Sequence, residues 1–357
     1  MITDGLPIFV NVVREDPVRK GLLYAGTERG VSVSFDDGDH WQSLQMNLPV
    51  TSVRDIDVHG NDLAIATHGR AFWVMDDVSS LRQTGNSTPF LFKPAIAYRE
   101  RPAGFTGTPM PKDEALAPNP PFGAYIDYVL PLTPSLSPPS GERVAEGRVR
   151  GVTLEIFDSN DNLVRRYGSE DKRTAPDLTR MQTAPEWFVA PSHLETTPGM
   201  HRFVWPIRYP APTGVGTRRG GGEGVWAPPG NAPDPRINLP ASAYAEQFAL
   251  AKQIEQTRAA IAAAMEEANA LTKEKPDLAE RVKAITGGPA GNAFPPPPAA
   301  ESSLRFIDQA LARVANAVDG ADSAPTRDAR EAWAKLKPAA DTALAAWKGF
   351  RAKSQTP

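Results

Sequence analysis

The chain has 357 residues, more than one packed core usually holds, and its 36 prolines, about a tenth of the residues, predict many loops and more than one domain. The 39 Lys and Arg against 42 Asp and Glu leave a formal charge of -3 without a sustained basic face, which excludes a nucleic-acid or anionic-membrane footprint. With no cysteine, disulfides, thiolate chemistry and Cys-based zinc sites drop out. No run reaches the ~18 apolar residues of a membrane helix, so no membrane insertion is expected, and Met1–Pro7 lacks the charged start and apolar run of an export signal.

Residues 1–82 are sheet material. Short β-rich runs at Ile8–Val13, Gly21–Ala25, Val31–Phe35, Val53–Val58, Leu63–Thr67 and Ala71–Met75 are punctuated by Asp-Asp-Gly, His-Gly-Asn-Asp and His-Gly-Arg turns, the pattern of an antiparallel meander. Residues 83–122 are proline-rich and read as a linker. Within 123–210, Gly123–Leu130, Val152–Phe157, Leu163–Tyr167 and Gly199–Trp205 read as strands of one small sandwich, with Asp158–Asn162 as a hairpin turn.

Residues 211–240 read as loop and linker. Arg218–Gly224 is glycine-rich and basic but fits neither a phosphate loop nor a dinucleotide fingerprint, so a flexible surface loop is expected. From 241 to 353 the pattern turns helical. Tyr244, Phe248, Ala251, Ile254, Ile261, Met265 and Ala268 share one helix face. Asp277 and Glu280 suggest a capping box for a short helix stopped by Gly287. Leu304, Ile307, Leu311, Val314 and Val318 form an unbroken stripe ending at Gly320, and Trp333, Leu336, Ala340, Leu344 and Trp347 continue the theme past a kink expected at Pro338. Four helical segments that pack against each other are predicted.

One motif stands out: Ser34-Phe-Asp36-Asp-Gly38-Asp-His-Trp41 fits Ser/Thr-x-Asp-x-Gly-x-Thr-Trp, with His40 at the usual threonine. Asp36 is suited to accept backbone hydrogen bonds within its own turn, Gly38 to take positive φ, and Trp41 to bury its ring. Turn residues of this kind are architectural before they are catalytic, so Asp36 and Asp37 are not read as an acid/base pair.

With Gly21–Gly30 before it and Ala66–Asp77 after it, this box resembles the last blades of large bacterial BNR-repeat (Asp-box) β-propeller proteins, described as glycosyl hydrolases or as sortilin-like. The resemblance covers nearly the whole chain, and it implies partial β-propeller blades, a small Ig-like β-sandwich and a C-terminal α-helical bundle: a multidomain chain, β plus α. It also implies a parent family exported to the periplasm or beyond. Gly123–Tyr128 and Leu154–Asp158 look like sandwich strands, and Asp234-Pro-Arg-Ile resembles the start of the tail.

Three departures are expected to matter. Only one to two blades of about 40–50 residues precede the linker, too few for a closed ring, so the missing blades are expected from a longer parent and the chain reads as truncated at its N-terminus. Residues 132–147 interrupt the sandwich like a translated dispersed repeat and read as a disordered loop. Ala227–Pro235 joins directly to the tail where the family runs through two more strands, leaving a sandwich edge exposed.

A sialidase-type mechanism needs an arginine cluster, an acid/base and a tyrosine nucleophile gathered from many blades. The one concentrated polar set here is His68, Arg70, Asp76 and Asp77, weak ligand candidates flanking the strand Ala71–Met75. A salt bridge from Arg70 to Asp76 or Asp77 is the default expectation, and an anionic ligand at Arg70 the sharper one. His59 and His68 lie nine apart without carboxylate spacing, so no metal and no cofactor is expected. The chain thus reads as a non-catalytic structural and interaction fragment with a carbohydrate or protein ligand; the alternative is an accessory part of a sialidase-like glycoside hydrolase whose active site lies on other blades.

Overall fold

The computed structural model describes residues 6, 9–83, 90–100, 120–130, 151–172, 192–215, 223–230, 232–288 and 300–355. They are β plus α: 14 strands in five small antiparallel sheets, then four α-helices, with no closed barrel or propeller among the described residues. The insertion at 132–147 and the middle of the linker lie outside the described residues. By internal contacts the chain divides into two units, one of residues 1–97, 110–152 and 192–205, the other of 98–109, 153–191 and 206–357.

The first unit opens with β1 (Val10–Glu15), β2 (Leu23–Thr27), β3 (Gly30–Ser34) and β4 (Gln42–Ser43), paired in sequence order. A second meander follows as β5 (Val53–His59), β6 (Asp62–Thr67) and β7 (Phe72–Met75), where Gly60 takes φ 62° in the tight turn that closes β5 on β6. Leu22, Tyr24, Val31 and Val33 of the first meander pack against Val53, Ile56, Leu63 and Ile65 of the second. Strands β1 and β5 lie side by side: Asn11 Nδ2 donates to the Val53 carbonyl at 3.0 Å, and Arg14 Nε to that of Ile56 at 3.0 Å. At Gly26 the meanders approach so closely that a Cβ would stand 2.7 Å from both Val12 and Val53 side chains, a contact only glycine allows.

A buried ion pair latches the meanders. The Asp16 side chain, fully buried after β1, accepts from the Val18 and Arg19 N–H groups at 2.9 Å and from Arg82 Nε at 3.0 Å. Arg82 then reaches Asn61 Oδ1 at 2.6 Å and the Gly60 carbonyl at 2.8 Å, so one guanidinium joins the end of β1 to the β5–β6 turn.

The third sheet of this unit has the order β12-β9-β8, from β8 (Phe90–Leu91), β9 (Ala124–Leu130) and β12 (Gly199–Trp205). The other two strands expected of the sandwich, β10 (Thr153–Phe157) and β11 (Leu163–Gly168), form the hairpin expected across Asp158–Asn162, and that hairpin falls in the second unit. There β13 (Arg208–Pro210) pairs with β14 (Glu223–Trp226), so the end of the stretch read as a flexible loop is a strand. Its backbone is held from the helices: the Val225 N–H donates to Glu255 Oε1 at 3.1 Å.

The helices are α1 (Ala241–Glu274), α2 (Ala279–Thr286), α3 (Leu304–Val318) and α4 (Arg327–Gln355), as many as the periodicity predicts. All five α3 stripe residues are buried, with Ile254, Ile261, Ala340 and Trp347 in the same core. That core also takes Val225 and Tyr209 from the β13–β14 hairpin, so the helices share it with residues before 241. Arg99 pairs with Asp322 at 2.6 Å, both side chains almost wholly buried, and covers the Tyr244 ring.

One local expectation is corrected. Asp277 and Glu280 form no capping box: a single 3-10 turn, Pro276–Leu278, precedes α2, and Leu278 caps it without a side-chain bond, because Pro276 favours the tighter turn at its N-terminus. Gly287 does end α2, at φ 83°. Pro338 lies inside α4, which continues past it as the stripe from Trp333 to Trp347 predicts.

Candidate functional site

The box sits on the hairpin between β3 and β4. Ser34 Oγ, wholly buried, donates to Asp36 Oδ1 at 2.8 Å and accepts the Gly38 N–H at 2.9 Å. Asp36 accepts the His40 N–H at 2.9 Å on one oxygen and faces His40 Nδ1 at 2.7 Å on the other. His40 thus supplies, through its ring, the side-chain partner that a threonine would offer by its hydroxyl. Asp37 and Gly38 take φ of 61° and 93°, and the Trp41 indole N–H closes the turn on the Gly38 carbonyl at 3.0 Å. The His40 and Ser34 hydrogen bonds hold the Asp36 carboxyl down at about 2, so it is an acceptor fixed in its charged form and ill-suited to proton transfer near neutral pH. The side chains of Ser34, Asp36 and Trp41 are spent on the turn itself.

Removing the buried hydroxyl is therefore expected to cost stability and nothing else: Ser34→Ala strands the Gly38 N–H and one bond of Asp36, a loss of about 1–3 kcal/mol in urea unfolding. Asp36→Ala is expected to lower the melting temperature in the same direction.

His68, Arg70, Asp76 and Asp77 do not converge. His68 and Arg70 are exposed in the β6–β7 turn, whereas Asp76 and Asp77 follow the far end of β7, on the order of 15 Å of extended strand away. The expected salt bridge from Arg70 is absent among the described residues, because β7 holds the two ends apart. Turn bonds shape the Arg70 end: Thr67 Oγ1 donates to the Ala71 carbonyl at 2.7 Å and Trp73 Nε1 to that of Arg70 at 2.9 Å.

The basic partner of Asp76 and Asp77 is Arg202, on β12. It forks onto Asp127 of β9 at 2.8 and 2.9 Å, with Tyr125 stacked at 4.7 Å, and donates to the carbonyls of Asp76 and of Asp77, the latter at 2.6 Å. It binds the backbone and leaves the carboxylates to their own surroundings. Burial and the neighbouring Asp62 charge push the Asp76 carboxyl up, against the pull of Arg202. Burial raises the Tyr125 hydroxyl too, which therefore stays protonated.

Sequence reasoning missed Arg202, Asp127 and Tyr125. The available signal was a carboxylate at the centre of an apolar strand: buried Asp127 demands a cation, and the β9–β12 register sets Arg202 directly opposite. An arginine, a tyrosine and carboxylates thus meet, but the fork of the guanidinium is taken by Asp127 and its other bonds go to two carbonyls. Among the described residues no group of His, Asp and Glu is arranged to hold a metal ion, and no helix is long and apolar enough to cross a membrane.

No family model, no curated protein and no solved structure matches this chain.

Proposed function

We propose that this chain is a non-catalytic structural and interaction module, whose two meanders are neighbouring blades of a BNR-repeat β-propeller completed by further blades. One observation carries the reading: two antiparallel meanders set side by side through their first strands, β1 and β5, with an Asp-box turn closing the outer hairpin of the first. Blades of a propeller radiate from such first strands, and two of them leave the ring open. In the same reading the sheet of β8, β9 and β12 is a layer of an Ig-like sandwich, and the helices are a bundle at the end of the module.

The chemistry agrees with a scaffold. Asp36 is consumed by its turn, Arg202 by Asp127, and Asp16 by Arg82, so the strong charge pairs fix elements to one another. A carbohydrate or a protein is the partner class that suits such a module.

Incubating the purified chain with aryl glycosides, a sialoside among them, tests this. No turnover above buffer is expected. Saturable turnover that Asp76→Asn abolishes, with the fold intact, would replace the scaffold reading by a glycoside hydrolase reading.

A further inference from the structure

The outward face of the second meander is built as a trough. Opposite residues of paired strands share a face, so the register sets Asp55, Asp57 and His59 of β5, Asp62, Ala64 and Ala66 of β6, and Phe72 and Val74 of β7 on the side away from the buried Leu63 and Ile65. The two alanines make a low floor on the middle strand. Asp55 and Asp57 stand along one side of it and Phe72 and Val74 along the other, roughly 10 Å apart across two strand spacings. Phe72 is 83% and Val74 59% exposed, so the apolar wall lies uncovered.

The facing wall carries charge that the chain leaves uncompensated. Arg14 pairs with Asp55 at 2.8 Å, but no cation pairs with Asp57 or Asp62 among the described residues. Asp76, next after Met75, adds a carboxylate beside Asp62, and its neighbour Arg202 is held by Asp127. His68 and Arg70 stand in the turn beyond Phe72, at the other end of the face. Bare apolar surface facing carboxylates across the width of one side chain matches one chemistry: a lysine or arginine can lay its methylene stem along the alanine floor against Phe72 and reach the carboxylates with its charged head. A segment or sugar bearing carboxylates would be repelled there.

We propose, on the reading of the chain as an interaction module and independently of its number of blades, that this trough docks an extended segment of another protein in which lysine or arginine stands beside an apolar residue. The apolar residue and the cation's stem pack on Phe72 and Val74, and the cation meets Asp57 and Asp62.

Fluorescence anisotropy of a labelled peptide of alternating lysine and leucine, titrated with the full chain, is expected to show saturable binding that weakens with salt. Asp57→Asn with Asp62→Asn is expected to weaken it about tenfold, and Phe72→Ser likewise. Asparagine at position 62 keeps the oxygen that accepts the Asp77 N–H, and all three side chains are exposed, so circular-dichroism melts are expected to match the parent chain. Glu170→Gln with Glu301→Gln removes the same charge from exposed positions elsewhere and is expected to leave binding unchanged. A peptide of alternating glutamate and leucine is expected not to bind. No binding of the lysine peptide, an equal loss in the two charge-removing pairs, or binding indifferent to Phe72→Ser would overturn the proposal, whereas the glycoside assay separately decides whether the module reading stands.

Discussion

Leu311→Asp is expected to abolish the cooperative thermal melt of the helical region. Leu311 is wholly buried in the core shared by α1, α3 and α4, where removing a leucine side chain alone costs about 2–5 kcal/mol. A carboxylate there adds the penalty of an unpaired charge in apolar surroundings, and the sum exceeds what a domain of this size can lose. Arg313, two residues on and exposed, supplies the contrast: Arg313→Asp is expected to stay within about 0.5 kcal/mol of the parent chain. Far-UV circular dichroism against temperature reads both, and equal tolerance of the two changes would show that the stripe does not hold the helices together.

Arg82→Met is expected to cost the first unit about 3–5 kcal/mol, because it strands the wholly buried Asp16 carboxylate rather than removing a balanced pair. Burial pushes the Asp16 carboxyl up, but the Arg19 and Val18 N–H groups and Arg82 together hold it below its ordinary value. A carboxylate with a depressed folded pKa stabilises the fold above its unfolded pKa, near 4, and loses that contribution as pH falls through the lower folded value. Urea unfolding from pH 7 downward is therefore expected to show an acid limb that Asp16→Asn flattens. An unchanged midpoint in Arg82→Met would mean that the latch does not join the meanders.

Most local structure was legible in the sequence, because it follows from period and turn chemistry. The six β-runs before residue 76 and the α3 stripe state their own periodicity, and the side-chain bonds of Ser34, Asp36 and Trp41 in the box join residues that are neighbours in the chain. What was not legible is long-range. The β10–β11 hairpin was announced by its Asp158–Asn162 turn, but that β9 pairs with β12 beyond it depends on which edges meet after folding, and alternation within a strand does not encode its partner. Arg202 escaped for the same reason, since its partner Asp127 lies on the other side of the β10–β11 hairpin in the chain. The β13–β14 hairpin was hidden by length: three- and four-residue strands in a glycine- and proline-rich stretch give no period, and their order comes from Glu255 of α1.

The account rests on two meanders lying side by side through β1 and β5. A chain without cysteine allows this to be measured cleanly by placing a pair of cysteines at Asn11 and Ser52, whose side chains meet at 3.3 Å, and treating the protein with a short bis-maleimide. Rapid intramolecular cross-linking at that pair is expected, with none for a control pair at Asn11 and Met75. A cross-linking rate at Asn11 and Ser52 no faster than the control would contradict the neighbouring-blade arrangement.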